Sequence, residues 1–453
     1  MKLSRWQKDI LQEGELYAVG GTVRDALMGL PAVEERKDFL VRSITAARLE
    51  EVLTRHGKMA LVGKSFGVYK FRPAGTEAQH DIAFPRTEKS TGPGHRDFDV
   101  AFDPELPVEA DLGRRDFTIN AIARNLADDR LIDPHHGRRD IDKHTVRMIF
   151  AEAFAEDPLR ILRGIRFAAR FGFEIEKKTA AAMKKSAPLL ETLSPERIQE
   201  ELNKLLGECE RPSGGFEWMY KTGALQIILP ELARGYGVEQ NEYHPDDIFW
   251  HSVKSCDEAP RANLPVRWAA LLHDLGKVDK KQVITEEGAS PRVVFYGHEK
   301  VSAELTAAIL GRLRFGHDFT KKCVHLVAQH MFYYQPEWNR STVRRFIRTA
   351  GVEHLEDLFK LREADLLSRN LGGELPELEE LRGRVQSELE AESALTISDL
   401  LIDGADIMRV LGLGEGRRVG DILEALFERV LQSPELNERQ TLLDLLKKDF
   451  GGK

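Results

Sequence analysis

Two adjacent side chains, His273 and Asp274, sit in an otherwise apolar helical stretch, Arg267-Trp268-Ala269-Ala270-Leu271-Leu272-His273-Asp274-Leu275-Gly276-Lys277. An imidazole beside a carboxylate is half of a divalent-metal site. Two further donors stand before and after it: His251 in Ile248-Phe249-Trp250-His251-Ser252-Val253, and Asp365 in Leu361-Arg362-Glu363-Ala364-Asp365-Leu366-Leu367. Carried on separate helices and turned inward, two imidazoles and two carboxylates make a cage for such an ion. The ion would acidify water into a nucleophile for phosphate esters. His298 (Tyr296-Gly297-His298-Glu299) and His330 (Ala328-Gln329-His330) either complete a second metal position or contact a substrate phosphate. Lys277 either contacts that phosphate or is a solvated lysine at a helix end. A lone histidine on an apolar helix is usually a satisfied core residue, so the reading rests on the ordered set.

A second group of chemistry-bearing residues lies near the N-terminus. Val19-Gly20-Gly21-Thr22-Val23-Arg24-Asp25 follows a predicted strand and opens a predicted helix. Two glycines let backbone amides approach a phosphate, and a helix N-terminus favours an anion. Arg24, expected in the first turn, can fork onto a triphosphate. By itself a Gly-Gly turn before a helix is more often structural. Further on come Gly113-Arg114-Arg115-Asp116-Phe117-Thr118-Ile119-Asn120-Ala121 and then Glu156-Asp157-Pro158-Leu159-Arg160-Ile161-Leu162-Arg163. Helical spacing predicts one shared face for Asp157, Arg160 and Arg163. A carboxylate beside a guanidinium can read a base edge, the acid accepting from the exocyclic amine of C or A. The same spacing also suits a salt-bridged surface helix.

These residues need a scaffold. Residues 15–150 read as mixed α/β, with strands predicted at Leu16-Tyr17-Ala18-Val19 and Phe66-Gly67-Val68-Tyr69-Lys70-Phe71. From about 150 onward, apolar residues recur at helical spacing to the C-terminus. Ser194-Pro195-Glu196-Arg197 is a helix start, with Ser194 at the N-cap and Pro195 first. The stretch from Tyr236 to Asp247 marks a boundary. At 453 residues, 42% hydrophobic and 31% charged, the chain suits a globular protein of two to four domains. Its net charge of −8 argues against coating nucleic acid but permits a local basic groove. No stretch approaches the ~20 apolar residues that span a membrane. Three cysteines, Cys209, Cys256 and Cys323, show no pair spacing, and the first residues lack a signal-like apolar run. Both predict a cytoplasmic location without membrane attachment.

Taken in order, the N-terminal segments, closed by Ser194-Pro195-Glu196-Arg197-Ile198, resemble the class II tRNA nucleotidyltransferase and poly(A) polymerase family from about residue 15 to 210. Leu272-His273-Asp274-Leu275-Gly276-Lys277 with His251 and Asp365 resembles the HD phosphohydrolase superfamily. Tyr243-His244-Pro245 ahead of His251 and His273-Asp274 is similar to bacterial CCA-adding enzymes with an HD body. The resemblance implies an α+β fold in four parts: an α/β nucleotidyltransferase head at 1–148, a helical neck with the base-selecting segment at 149–235, an HD body at 236–375 and a helical tail at 376–453. It implies transfer of CMP or AMP from CTP or ATP to the 3′ end of tRNA or another RNA. Gly20, Gly21 and Arg24 would hold the triphosphate, and Arg115, Asp116 and Asn120 would contact the nucleotide. Asp157, Arg160 and Arg163 would choose the base. Asp38 and Asp81 would carry the catalytic Mg²⁺. The body would hydrolyse 2′,3′-cyclic phosphates, 2′-nucleotides and similar ends, using an ion such as Ni²⁺ or Mn²⁺ held by His251, His273, Asp274, His298, His330 and Asp365.

One departure stands out. The family places an Asp-x-Asp pair on the strand after the Gly-Gly helix, and this chain has Arg36-Lys37-Asp38-Phe39-Leu40-Val41. Anchored on Lys37-Asp38-Phe39, the second acid has become Leu40; anchored on Phe39-Leu40-Val41, the first has become Arg36. Glu35 substitutes only if its loop folds back. Asp97-Phe98-Asp99 has the right spelling but reads as a surface loop. Asp81, in His80-Asp81-Ile82-Ala83-Phe84-Pro85-Arg86, is either the acid of a neighbouring strand or a strand-end residue facing solvent. The alternatives to CCA addition are therefore a poly(A) polymerase, an HD phosphohydrolase with a weakened head that only grips RNA, or an idle RNA-binding protein.

Overall fold

The computed structural model describes residues 3–31, 37–62, 67–90, 98–241, 245–285, 291–369, 375–391 and 396–451, and of 87–90 and 98–101 only the backbone. Glu35, Arg36, Phe66, Asp97, Tyr243 and His244 fall outside the described residues. The chain forms two compact units, Met1–Ala233 and Arg234–Lys453.

The first unit is built on strands β1 (Glu15–Val19), β2 (Asp38–Arg42), β3 (Gly57–Val62), β4 (Val68–Pro73), β5 (His80–Ala83), β6 (Arg86–Ser90), β7 (Phe98–Phe102), β8 (Ala123–Asn125) and β9 (Leu131–Ile132). Seven of them form one sheet in the order β3-β4-β5-β2-β1-β8-β9, while β6 and β7 pair separately. Asp99, expected in a loop, is thus in a strand; Phe98-Asp99-Val100-Ala101-Phe102 alternates apolar and small or polar residues, the period of a ribbon.

Strand alternation gives the sheet two different faces. On one, the Trp6 ring meets Phe39 at 5.4 Å and Phe71 at 5.3 Å. On the other, Tyr17 stands opposite Leu40, and both join Val19, Val108 and Leu112 in an apolar cluster. Asp38 shares the face of Leu40. It opens β2, just beyond that cluster, and is half-buried. At the end of β1 the chain turns through Gly20 at φ +63°, a conformation that glycine adopts without strain, into the helix Gly21–Leu27.

The helix Leu159–Phe171 follows, its Arg166 buried and donating to Glu201 at 2.8 Å and Glu208 at 3.1 Å. Both acids lie on the helix Pro195–Glu208. That helix begins at Pro195 as expected, with Ser194 at its N-cap, although the Ser194 hydroxyl makes no capping hydrogen bond.

In the second unit, helices Leu264–Leu272, His298–Arg312, His317–Gln329 and Leu355–Ser368 contribute to a common core, with Ile248–Glu258 packed against the first and last of them. A two-stranded ribbon, Gln282–Ile284 with Arg292–Val294, interrupts what was expected to be helix throughout. Its β-branched Val283, Ile284, Val293 and Val294 were the available signal. Helices Gly404–Leu411, Arg417–Gln432 and Arg439–Phe450 close on a separate apolar cluster. Among the described residues no helix is long and apolar enough to cross a membrane.

Gly276 fixes the distance between the His273-Asp274 turn and the helix that starts at His298. A Cβ there would lie 2.4 Å from the His298 carbonyl oxygen and 2.8 Å from the Ser302 nitrogen. Gly276→Ala is therefore expected to destabilise the second unit by about 1–3 kcal/mol, the scale of overpacking a tight core. Urea denaturation followed by the intrinsic fluorescence of buried Trp268 measures it.

Candidate active sites

Gly20, Gly21, Arg24, Asp38, Arg115, Asp116, Asn120, Asp157, Arg160 and Arg163 all line a single cavity of about 670 Å³ in the first unit. Eight arginines and three aspartates face it, so its charge suits a polyanion. Arg86, Arg114, Arg166 and Arg170, with Phe167, complete the lining. Each lies within or beside a segment singled out by sequence, yet arginines at helical spacing look alike whether they face a ligand or solvent.

A buried network holds these guanidiniums in place. The Asp116 carboxylate accepts from Phe117 N at 2.8 Å, Asn120 Nδ2 at 2.9 Å and Arg163 Nε at 2.9 Å. Burial pushes Asp116 up, but the Arg163 charge, these bonds and nearby Arg160 outweigh it and bring it down to about 2. Asp111, fully buried, is gripped by Arg114 at 2.5 Å and Arg115 at 3.0 Å. Burial raises that carboxyl too, and the two arginines again hold it below its usual value. Arg24 donates to Asp25 at 2.8 Å and Asn120 at 2.6 Å, and its guanidinium lies over the Phe167 and Phe171 rings. Arg24 thus braces the Gly20-Gly21 turn from within the wall.

Asp157 does not share a helical face with Arg160 and Arg163. It precedes Pro158 in extended conformation (φ −138°, ψ 97°), because a residue before proline avoids the helical region. Its carboxylate accepts from Leu159 N at 3.2 Å and from Arg197 Nη2 at 3.1 Å. Arg160 donates to the Arg114 carbonyl at 3.1 Å. The acid and the guanidinium still meet at the cavity wall, each fixed by a different neighbour.

On the strand, Leu40 is 1% exposed inside the apolar cluster, where a carboxylate would have no partner. Asp38 is the acid that β2 offers, and its parallel partner across the sheet is Asp81. Residues paired this way project from the same face. Asp81 is half-buried, 4.0 Å from Lys70 Nζ, and outside the cavity lining. Asp38 Oδ2 would lie 3.8 Å from a Cβ at Gly20, which places it beside the glycine turn.

The second unit brings together all six metal-type donors. His251 and His273 Nε2 atoms are 3.2 Å apart, and His298 and His330 Nε2 atoms 3.3 Å apart. Asp274 lies between the pairs. Its Oδ2 is 3.1 Å from His251 and 3.4 Å from His273, and its Oδ1 is 3.1 Å from His298 and 3.7 Å from His330. Asp365 Oδ1 closes one side, 3.3 Å from His251. Two sets, His251-His273-Asp274 and Asp274-His298-His330, have ligand atoms close enough to share an ion, with Asp274 common to both.

The tautomers fit metal binding. His273, His298 and His330 place Nδ1 2.8, 2.9 and 2.7 Å from the carbonyls of Ala270, Phe295 and Val327. Nδ1 must donate there, which leaves each Nε2 lone pair facing inward. His251 Nδ1 meets Ser368 Oγ at 3.2 Å, and that hydroxyl donates onward to the Asp365 carbonyl. Lone pairs about 3.2 Å apart repel, whereas two nitrogens each ~2.1 Å from one tetrahedral ion are spaced in that way. The donor set fits a divalent ion.

The imidazoles differ in charge. Burial brings His330 down to about 4, keeping it a neutral donor. Burial also pushes His251 down, but Asp274 and Asp365 more than offset it and raise it, so His251 would release a proton on binding an ion. Burial raises Asp274, and His273 and Lys277 overrule it, holding the carboxyl well below the usual range. Lys277 is buried, 2.6 Å from Asp274 Oδ2 and 2.8 Å from Gln240 Oε1, so it is not a solvated helix-end lysine. A cavity of about 350 Å³ opens onto Asp274, Lys277, His298, His330 and Asp365. Arg362 and Arg369, which sequence reading left out, line it and hold Asp365 at 2.7 and 3.2 Å. At three- and four-residue spacing they resemble any exposed helical ion pair.

Comparison with known proteins identifies the domains that carry these cavities. The Poly A polymerase head domain matches residues 16–147, the "Probable RNA and SrmB- binding site of polymerase A" residues 172–235, and the HD domain residues 244–408. The Multifunctional CCA protein of Methylobacillus flagellatus is 38% identical over 431 residues, 92% of this chain and 95% of that one. This chain belongs to the multifunctional CCA protein family. The relative from Xanthomonas campestris is 38% identical over 86% of this chain and 93% of its own. In fold it matches the Bacillus stearothermophilus CCA-adding enzyme in complex with CTP (TM-score 0.70, 24% identity, 98% of this chain and 96% of that one). It also matches the Thermotoga maritima CCA-adding enzyme complexed with tRNA_CCA (TM-score 0.57, 22% identity, 98% and 93%). Head and HD folds thus occur together in the family as they do here.

The Asp116 pKa carries a pH dependence. A carboxyl held at about 2 instead of 3.8 contributes stability that is full above pH 4 and disappears as pH falls through 2. The shift corresponds to about 2 kcal/mol. Wild type should lose about that much more stability than Asp116→Asn between pH 5 and the acid limit, read from denaturation midpoints across that range.

Proposed function

We propose that the chain is a tRNA 3′-end nucleotidyltransferase that adds CMP and AMP from CTP and ATP, with a metal-dependent phosphohydrolase in its HD body. The observation that carries the first activity is the arginine-lined cavity in which Asp38, the Gly20-Gly21 turn, Asp116 and the Asp157-Arg160 pair meet. Its reaction is attack of the RNA terminal hydroxyl on the α-phosphate with loss of pyrophosphate. Arg115 and its neighbours offset the triphosphate charge, and backbone at Gly20-Gly21 allows the phosphates close approach. Asp157 accepts from the exocyclic amine of C or A while Arg160 donates to a ring acceptor, so protein side chains select the base. Asp38, with Asp81 as its register partner, is the residue that would hold Mg²⁺, which supplies charge for the pentavalent phosphorus and the departing pyrophosphate. The same reading assigns residues 1–148 to the head, 149–235 to the neck, 236–375 to the HD body and 376–453 to the tail, and places the enzyme in the cytoplasm.

In the body, His251, His273, Asp274, His298, His330 and Asp365 would hold a transition ion such as Ni²⁺ or Mn²⁺, which polarises a phosphate ester and acidifies water. Arg362 and Arg369 set the Asp365 carboxylate and present positive charge to the ester. Lys277 keeps Asp274 ionised. Cyclic 2′,3′-phosphates and 2′-phosphates on RNA ends are the substrates proposed.

A weakened head is the second reading, because β2 carries one acid where the family has two. Incorporation of labelled CTP and ATP into tRNA lacking its terminal CCA decides between them. Asp38→Asn and Asp81→Asn should each lose about 100-fold or more in turnover; full activity in both excludes the metal assignment. With ATP alone, a tRNA ending in CC gains one residue from a CCA-adding enzyme and many from a poly(A) polymerase. Arg160→Ala should lose about 1–3 kcal/mol of discrimination for CTP and ATP over GTP and UTP. His273→Ala should abolish the hydrolase and leave nucleotide transfer intact, read from phosphate release and incorporation side by side.

A further inference from the structure

Large side chains left in water flank the hydrolase centre. Tyr296, two residues before His298, is 67% exposed, and Met331, directly after His330, is 58% exposed. Tyr333 adds a third at 69%. Proteins seldom cluster exposed apolar groups without a ligand or partner for them. Gly297, at φ +77°, turns the chain from Tyr296 into the helix that starts at His298, so the Tyr296 backbone lies beside the metal-type donors. Met331 directly follows His330 in the chain.

Tyr296, Gly297, Glu299 and Met331 line the metal-site cavity and also a second cavity of about 590 Å³ beside it. The two spaces therefore adjoin across these residues. The second is lined by Phe332, Trp338 and Phe346, whose rings pack at 5.0 and 6.0 Å, with Arg345 also on its wall. The first holds about 350 Å³ beside His298, His330, Arg362 and Arg369, enough for a terminal nucleotide and its phosphate. A mononucleotide or a simple phosphate ester would leave the second space unused.

We propose that this groove binds the 3′-terminal nucleotides of a single-stranded RNA whose end carries a 2′-, 3′- or cyclic phosphate. The phosphate lies at Asp274, His298 and His330, the terminal base packs on Tyr296 and Met331, and the preceding base lies over Trp338 and Phe346. Aromatic faces stack on any base, so the site accepts ends of differing sequence. Arg345 lies where the backbone of the entering strand passes. This rests on the hydrolase reading for the role of the phosphate, but base binding can be measured without turnover.

The binding test uses the full chain and a short oligoribonucleotide ending in a 3′-phosphate, with 4-thiouridine at its last or penultimate position. Photo-crosslinks mapped by mass spectrometry are expected in the peptides that contain Tyr296, Met331 or Trp338. Crosslinks confined to residues 1–233 overturn the proposal. The kinetic test loads the enzyme with Ni²⁺ or Mn²⁺ and compares an oligonucleotide ending in a 2′,3′-cyclic phosphate with bis(p-nitrophenyl) phosphate. Trp338→Ala, in the wall of the second cavity and not of the metal-site cavity, should raise KM for the oligonucleotide roughly 5- to 30-fold, the scale of one lost base stack, and leave the small ester unchanged. Trp338→Phe should restore it. An equal change for both substrates, or none for the oligonucleotide, also overturns the proposal. If wild type cleaves neither substrate, the hydrolase reading fails, and the crosslink map alone decides the groove.

Discussion

The second unit is organised around one carboxylate taken out of water. Asp274 is 1% exposed, and an ion so placed costs several kcal/mol unless its surroundings compensate. Helices and turns from distant parts of the sequence supply that compensation. His251 and Lys277 approach one of its oxygens, and His298 approaches the other. Gly276 lets the His298 helix come close enough to reach it, and Ser368 fixes the His251 ring. Lys277, Arg362 and Arg369 offset the Asp274 and Asp365 charges, so what the protein groups leave unmet is the convergence of imidazole nitrogens 3.2 and 3.3 Å apart. The donor set fits a divalent cation, which would take those nitrogens as ligands and tie metal binding to the stability of this core.

The first unit carries an excess of positive charge. Eight arginines converge on its cavity, and some are neutralised by acids in or behind the wall: Asp111 for Arg114 and Arg115, Asp116 for Arg163, Glu201 and Glu208 for Arg166. These pairs do more than cancel charge. Each locks a long side chain into one rotamer, so the donors that still face the cavity are already positioned when an anion arrives. Arg24 is held most firmly, between Asp25, Asn120 and two phenylalanine rings, and braces the turn at Gly20. The single acid that opens β2 sits beside that turn, and Asp81 is its register partner on the parallel strand β5.

The division between what could and could not be read from the sequence follows from locality. His273-Asp274 and the Gly-Gly turn were legible because their chemistry is written in adjacent residues. His251 and Asp365 were legible because few residue types bind metals and the two fall in helical stretches. That Asp274 is shared by both histidine pairs was not, since sharing depends on the approach of two helices at Gly276. Asp157 shows how local pattern misleads: helical spacing put it on a face with Arg160, whereas Pro158 keeps it out of the helix and hands it to Arg197, far along the chain. Arg362 and Arg369 were invisible for the reason that Lys277 was ambiguous. A basic residue on a helix gives no sign of which way it faces until the fold is known.

The two sites impose complementary demands on the same molecule. Nucleotide transfer needs a free terminal hydroxyl, because that oxygen is the nucleophile. A 3′ end that carries a phosphate, cyclic or open, has lost it, and no arrangement of arginines in the head restores it. Removal requires attack at phosphorus by water, which the head must exclude to keep its triphosphate from hydrolysis. A cavity that excludes water and one that activates it cannot be the same cavity. Two centres of unlike chemistry, one lined by guanidiniums and one by imidazoles around a buried carboxylate, are what that conflict demands under the function proposed for this chain.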